Sequence, residues 1–182
     1  MKTRMCSLLL IALGLSMNGC NDKKDTGWRD MLASRLQVYG HRNWIVIADA
    51  AYPSQSRSGV ETIVTREDHL KVIEEVLKAV GNSRHVQAGV HLDKELTYVS
   101  EKDAPGIEAY RNNLHELLGQ RPINTSLHND LIASIDEASK TFDVLILKST
   151  LTLPYTSVFL ELGCGYWNDE AESRLRNGLT GR

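Results

Sequence analysis

The stretch GHRNWIVIADA, residues 40–50, is the most informative part of this chain for its fold. Its centre, Trp44-Ile45-Val46-Ile47-Ala48, is a continuous apolar run bounded by polar residues. A short, β-branched run of this kind predicts a strand that is buried on both faces. Val144-Leu145-Ile146-Leu147 has the same character and predicts a second buried strand.

Around these strands the apolar spacing alternates between helical and extended periods. Helical stripes cover 28–39, 65–81, 107–119 and 126–138, and strand-like runs cover 60–64, 86–92 and 158–162. Gly40 suits a helix C-cap, whereas Thr65 (with Asp68) and Ser126 suit helix N-caps. A polar, exposed helix is expected over 168–176. Because strands and helices alternate along the chain, the sequence predicts an α/β layered domain.

The composition restricts the classes of protein to which the chain can belong. Its 182 residues fit one domain, and 42% hydrophobic with 24% charged residues is typical of a globular protein. The formal net charge of -2 offers no general attraction for nucleic acid. Aromatic residues make up only 6%, so a large base-stacking surface is not expected.

The first residues have the pattern of an export signal. Lys2 and Arg4 precede a mostly apolar segment, 7–17, which is too short to span a bilayer but suits a signal peptide. Gly19-Cys20 follows and resembles a bacterial lipobox, in which the cysteine is acylated and becomes the mature N-terminus. The alternative is an ordinary secretory signal that is cleaved nearby.

The lipobox interpretation divides the chain into three parts. Residues 1–19 are a lipoprotein signal peptide, 20–26 a lipidated tether, and 27–182 the folded domain. The protein is then expected in the cell envelope, on the periplasmic face or the outer membrane, held to the membrane only through the lipid on Cys20. Cys164 remains the one unmodified cysteine of the mature chain, so no intrachain disulfide is expected.

Asp49 is the first candidate for a functional residue. It ends the buried strand of residues 44–48, and polar side chains just past the carboxyl end of a strand commonly face a ligand crevice. A turn-capping role before Pro53 explains the position equally well. His41 lies before the same strand, where a surface histidine is the simpler explanation. Eight extended residues span about 26 Å, so His41 and Asp49 share a site only if the chain bends back or two subunits contribute.

Three further polar residues near strand or helix ends are candidates. Tyr155 and Ser157 are two residues apart, so on a strand they point the same way and form a polar patch for sugar hydroxyls. Their alternative is an edge-strand pair that meets only water. His128 lies just inside a predicted helix N-terminus, where an exposed helical histidine is the simpler interpretation.

Other kinds of site receive little support from the sequence. The six histidines have no compact spacing, so a structural zinc site is not expected. Gly163 and Gly165 lack the third glycine and the helix start of a dinucleotide loop. Cys164 between them has no nucleophile signature, and a buried, inert cysteine is the expected role.

Taken together, Gly40-His41, then Ile47-Ala48-Asp49-Ala50 and Pro53, resembles the signature of the ribose pyranase and fucose mutarotase family. Pro154-Tyr155-Thr156-Ser157 resembles that family's Tyr-x-Asn segment, with Ser157 where the family usually has Asn. The resemblance extends from about Met31 to Leu162. It implies a compact α/β fold with a central sheet and helices on both faces.

The resemblance also implies an activity and roles for the candidates. Family members interconvert ring forms or anomers of free monosaccharides without metal or organic cofactor, and assemble into rings, often decamers, with sites near subunit contacts. His41 corresponds to the acid/base histidine, Asp49 to its partner or a hydroxyl acceptor, His128 to a second catalytic histidine, and Tyr155 with Ser157 to the sugar-binding segment. The chain is therefore expected to be an isomerase acting on a free aldose through histidine general acid/base catalysis.

Two other functions fit the same residues. An envelope lipoprotein with this fold can capture or sense a sugar without turning it over, and the serine at position 157 favours that alternative. A purely structural, ring-forming lipoprotein is the third possibility. No nucleic acid partner is expected from the composition.

Overall fold

A computed structural model of the protein describes residues 27–180, so the predicted signal peptide, the tether and Cys20 lie outside the described residues. The described part contains six strands, five α-helices and one short 3₁₀ helix. In chain order they are α1 (Trp28–Leu36), β1 (Trp44–Ala48), β2 (Val60–Val64), α2 (His69–Gly81), β3 (Val86–Asp93), the 3₁₀ helix (Lys94–Thr97), α3 (Ile107–Leu118), β4 (Ile123–Ser126), α4 (His128–Ala138), β5 (Val144–Lys148), β6 (Val158–Cys164) and α5 (Asp169–Thr180).

The six strands form one mixed sheet in the order β2-β5-β1-β6-β3-β4. β5 runs parallel to both β1 and β2, and β3 runs parallel to β4, but β6 is antiparallel to both of its neighbours. Five strands therefore point one way, and β6 alone of the six points the other way. As a result, the chain entering β6 lies on the same side of the sheet as the carboxyl ends of the other five strands. We call this side, across the strand ends, the near edge of the sheet, and the opposite side the far edge.

Both faces of the sheet are covered, because residues of a strand alternate between its two faces. In β1, Ile45 and Ile47 pack with the apolar faces of α1, α2 and α3, whereas Trp44, Val46 and Ala48 pack with α4. All five residues of β1 are buried, as the continuous apolar run predicts. The expected α/β architecture, a central sheet with helices on both faces, is therefore confirmed.

Several local predictions are wrong. β4 was not expected, and Ser126 ends that strand, so Leu127 instead precedes α4 as its N-cap residue. Thr65 is not the cap of α2, since its hydroxyl donates to the carbonyl of Lys148. Asp68 takes that role by accepting a hydrogen bond of 3.1 Å from the backbone N–H of Lys71.

The two ends of the domain also differ in detail from expectation. α1 ends with Gln37 as its C-cap residue, three positions before Gly40. The C-terminal helix α5 exists as predicted and has no buried side chain. Within residues 27–180, no helix is both long enough and apolar enough to cross a membrane.

Candidate functional site

One edge of the sheet gathers most of the polar residues that the sequence singles out, together with Asp93, which the sequence patterns do not indicate. Asp49 follows β1, Asp93 ends β3, and His128 begins the helix that follows β4. The segment 155–157 enters the reversed strand β6 at the same edge, since Val158 pairs with both Ile47 of β1 and Leu92 of β3. A crevice outside the carboxyl ends of the strands is a common ligand site in α/β sheets.

Asp49 uses its two carboxylate oxygens differently. Oδ1 accepts a hydrogen bond of 2.7 Å from the backbone N–H of Ala51, and Oδ2 lies 3.4 Å from the hydroxyl of Ser157, which donates to it. The turn-capping contact that the sequence offers as one interpretation is therefore present, and the functional interpretation stays a prediction. Asp49 organises the turn after β1, and its half-buried carboxylate lies at the crevice.

His128 is held by contacts from three directions. Its Nδ1 lies 3.1 Å from Oδ2 of Asp93, whose side chain is completely buried. Its backbone N–H donates to the carboxylate of Glu95, at 3.1 and 3.0 Å from the two oxygens. The ring of Tyr155 meets the imidazole edge to face, with 5.5 Å between ring centroids. His128 is therefore not a free surface histidine.

Tyr155 and Ser157 do not share a strand face, so the sequence prediction is wrong on this point. β6 begins only at Val158, and Tyr155 has a left-handed backbone with φ of 56°. Tyr155 is 40% exposed, whereas Ser157 is 1% exposed. A bulky residue in the left-handed region is unusual and persists only where its surroundings enforce it.

A buried polar network fixes the segment that carries Tyr155. The carbonyl of Thr156 lies 2.9 Å from Nε2 of His69 and 2.8 Å from the phenol oxygen of Tyr110, and both groups donate to it. Nδ1 of His69 lies 2.7 Å from the hydroxyl of Ser149. The carbonyl of Ala48 also lies 3.1 Å from that hydroxyl. Because Nε2 of a neutral His69 carries the ring proton, Nδ1 is an acceptor, and the Ser149 hydroxyl donates to it over the shorter distance.

Burial explains the charge states in this region. Burial is the main reason that the pKa of His69 falls from 6.5 to about 4, although the hydrogen bond to the Thr156 carbonyl and the charge of Asp49 act in the opposite direction. Burial likewise raises the pKa of Asp93 above its ordinary value, and His128 partly offsets this shift. His69 is therefore neutral near pH 7, and the charge of Asp93 depends on its contact with His128.

An open groove adjoins Asp49. It has a volume of about 350 Å³ and is lined by Asp49, Ala50, Ala51, Thr152, Leu153 and Pro154. A volume in this range is typical of sites for small molecules. The groove therefore offers room for a small ligand beside the Asp49 carboxylate.

His41 lies at the opposite edge of the sheet. The backbone N–H of Arg42 donates to the carbonyl of Leu162, near the far end of β6, at 2.8 Å. His41 is exposed and borders a separate cavity beside Trp44 and Glu161. β1 separates it from Asp49 by roughly 16 Å of strand, so one chain does not bring these two residues together.

The remaining sequence expectations concern metals and Cys164. Across residues 27–180, no group of three histidine, cysteine, aspartate or glutamate residues is placed to hold a metal ion. Cys164 is a free cysteine at the end of β6 and is half-buried rather than fully buried.

Comparison with known families identifies the relatives of this fold. A family model described as the RbsD / FucU transport protein family matches residues 23–164, which is most of the chain. The chain belongs to this family. No curated protein matches the chain. The family match confirms the resemblance that the sequence motifs indicate.

Solved structures of this family are similar to the chain at low identity. Bacillus subtilis RbsD, complexed with D-ribose, is 19% identical with a TM-score of 0.49, and the match covers 73% of this chain and 91% of that one. Fucose mutarotase from Streptococcus pneumoniae, in complex with L-fucose, is 20% identical with a TM-score of 0.48, covering 71% and 89%. FucU from Bifidobacterium longum is 19% identical with a TM-score of 0.48, covering 73% and 93%.

Three polar residues of this region were not predicted from the sequence: Asp93, His69 and Tyr110. Asp93 follows an alternating strand just as Asp49 follows a continuous one, so its position was a usable signal. His69 and Tyr110 lie within helical stripes. Their contacts with Thr156 depend on packing between elements, which no local pattern reveals.

The buried His69 predicts a loss of stability in acid. Between pH 6.5 and about pH 4, the imidazole of His69 is protonated in the unfolded chain but neutral in the native protein. The free energy of unfolding therefore falls as the pH is lowered through this window. The loss attributable to His69 is about 3 kcal/mol, at 1.4 kcal/mol per pKa unit. Urea unfolding across the window measures it.

Two variants separate this effect from other titrating groups. His69→Gln keeps an amide donor for the Thr156 carbonyl and does not titrate, so its stability changes less with pH across the window. His115→Gln, at an exposed position of α3, keeps the pH dependence of the wild-type protein. Parallel curves for the wild type and His69→Gln would contradict the assignment.

Proposed function

We propose that the protein is a monosaccharide isomerase of the pyranase or mutarotase type, which interconverts ring forms or anomers of a free aldose. One observation carries the proposal: a carboxylate, a buttressed imidazole and an exposed aromatic ring occur together at one edge of the sheet. These groups are Asp49, His128 and Tyr155. Membership of the RbsD / FucU family supports it, and so do the chain's motifs, which resemble those of ribose pyranases and fucose mutarotases.

The chemistry of ring opening suits these side chains. One group removes the proton of the anomeric hydroxyl while another delivers a proton to the ring oxygen, and the bond between that oxygen and the anomeric carbon breaks. Histidine serves either direction because its unperturbed pKa lies near neutrality. General acid/base help accelerates a reaction typically 10²–10⁴-fold. That gain suffices for a reaction that already proceeds slowly without a catalyst.

Each residue receives a role under this proposal. His128 exchanges a proton with the sugar, Asp49 accepts a hydrogen bond from a sugar hydroxyl, and Tyr155 packs against the sugar ring. Ser157 is buried, so it acts through its hydrogen bond to Asp49 instead of reaching the sugar itself. No cofactor takes part in any of these steps.

His41 enters the site from a second copy of the chain. The support is its exposure at the far edge of the sheet, together with the subunit-contact sites that the family resemblance implies. A ring of copies, such as a decamer, brings the far edge of one chain to the near edge of the next. His41 then supplies the second proton-transfer group.

Anomer exchange measured by saturation-transfer NMR tests the proposal. The wild-type protein is expected to accelerate exchange of at least one aldose among D-ribose, L-fucose and D-galactose. His41→Ala is expected to reduce the acceleration by about 10²-fold or more, because one proton-transfer group is lost. His115→Ala, which removes an exposed histidine of α3, is the matched control and keeps full activity.

Mixing two inactive variants tests the shared site. If His41 and Asp49 of neighbouring copies meet, refolding His41→Ala together with Asp49→Asn restores roughly a quarter of the sites. No recovery would contradict a site shared between copies. Calorimetric binding of a sugar without faster exchange, by the wild-type protein, would replace the isomerase with a non-catalytic sugar-binding or sensing protein.

We also propose that the protein is a lipoprotein of the cell envelope, with lipid on Cys20. The support is the order of a basic start, a short apolar segment and Gly19-Cys20. Metabolic labelling of the bacterium with a palmitate analogue is expected to label the wild-type protein but not Cys20→Ser. Equal labelling of both, or of neither, would contradict the anchor.

A further inference from the structure

Asp93 has no role in the sequence motifs, yet its surroundings are unusual. Its side chain is completely buried, and Oδ2 lies 3.1 Å from Nδ1 of His128. Its other oxygen, Oδ1, is buried with no hydrogen-bond partner among the described residues. A buried carboxylate without full compensation is costly, so its retention at this edge points to a function.

The contact fixes where the ring proton of His128 resides. A carboxylate only accepts hydrogen bonds, whereas a neutral imidazole has one donor nitrogen and one acceptor nitrogen. Opposite Oδ2 of Asp93, Nδ1 must be the donor, and Nε2 keeps its lone pair. Within the described residues Nε2 has no hydrogen-bond partner, and a third of the His128 side chain is exposed.

We propose that Asp93 is a positioning residue for His128: its buried carboxylate keeps the ring proton on Nδ1 and leaves Nε2 free to take the proton of an anomeric hydroxyl. The mechanistic part of this inference rests on the proposed function, but the assignment of the ring proton does not. Asp93 does not touch the sugar and acts only through the imidazole.

The proton balance of the step is simple. Nε2 takes the anomeric proton, the anomeric oxygen becomes the carbonyl of the open chain, and the electrons of the breaking ring bond go to the ring oxygen. That oxygen is protonated by the second acid, His41 of the neighbouring copy. His128 is then positively charged beside the Asp93 carboxylate, so their attraction is stronger after proton transfer than before it.

The charged groups around Asp93 agree with this order of events. Glu95 and Asp49 both face it and disfavour its ionised form, and burial does so more strongly. The group that favours its charge is His128. A cationic imidazole therefore stabilises the ionised form of Asp93, which burial and the neighbouring carboxylates destabilise.

A purely structural role for Asp93 is the competing explanation. The start of α4 is already fixed by Glu95, which accepts from the backbone N–H of His128 with both oxygens. Asp93 instead contacts the ring itself. The two explanations differ in what they predict for the ring proton and for catalysis.

The experiment combines ¹⁵N NMR of the His128 imidazole with anomer-exchange rates at high and low sugar concentration. In the wild-type protein the neutral ring is expected to carry its proton on Nδ1. Asp93→Asn offers an amide donor to that nitrogen and permits the other tautomer. Its maximal exchange rate is expected to fall about 10²-fold or more while KM changes by only a few-fold. Asp103→Asn, the same change in an exposed loop, alters neither quantity.

The outcomes separate this inference from the proposed function. A wild-type His128 protonated on Nε2 overturns it, even if Asp93→Asn fails to fold. An Asp93→Asn protein with the wild-type tautomer and wild-type exchange also overturns it. The expected tautomer change in a protein that never accelerates exchange supports the positioning role and refutes the isomerase. A tautomer change with undiminished exchange refutes the catalytic use of His128.

Discussion

The reversed strand β6, hydrogen-bonded between β1 and β3, is the constraint on which the site depends. In a wholly parallel sheet the start of β6 would lie at the opposite edge, far from the carboxyl ends of its neighbours. Its reversal places residues 155–157 between Asp49 and Asp93 instead. The apolar core on both sides of β6 therefore does more than stabilise the sheet, because it also holds residues 155–157 beside the carboxyl ends of β1 and β3.

Buried polar contacts then set the shape of this edge. His69 and Tyr110 both donate to the carbonyl of Thr156, and this anchors the left-handed backbone of Tyr155 next to it. Such contacts are worth more in a buried setting than at the surface, and leaving one of them unmade costs more than a typical hydrogen bond gains. The exposed ring of Tyr155 and the imidazole of His128 are thus prepared in advance of ligand binding, which reduces the entropy lost on binding.

The sequence predicted the fold well where burial is strong. The continuous apolar runs of β1 and β5 and the stripes of α2 and α3 leave little ambiguity about where they lie. β4 was not predicted because it is a short, polar, outermost strand of the sheet, and its sequence INTS has no apolar alternation. The N-cap errors at Thr65 and Ser126 arise because several adjacent residues suit the same cap, and only the backbone path selects one.

The candidate site was only partly predictable. Asp49, His128 and Tyr155 were found because they lie at or near the ends of predicted strands and helices, and the family resemblance then gave them roles. The pairing of His128 with Asp93 joins residues 35 positions apart and depends on β3 and β4 being neighbours. His41 and Asp49 were expected to share a site either through a bend in the chain or between two subunits, and the structure shows that one chain keeps them at opposite edges.

A crystal structure of the protein with bound D-ribose is the most direct measurement of the central claim. We expect the sugar at the near edge of the sheet, with a hydroxyl hydrogen-bonded to Asp49, the anomeric oxygen within reach of Nε2 of His128, and the ring beside Tyr155. A sugar bound away from Asp49 and His128, in a protein that accelerates its anomer exchange, would contradict it.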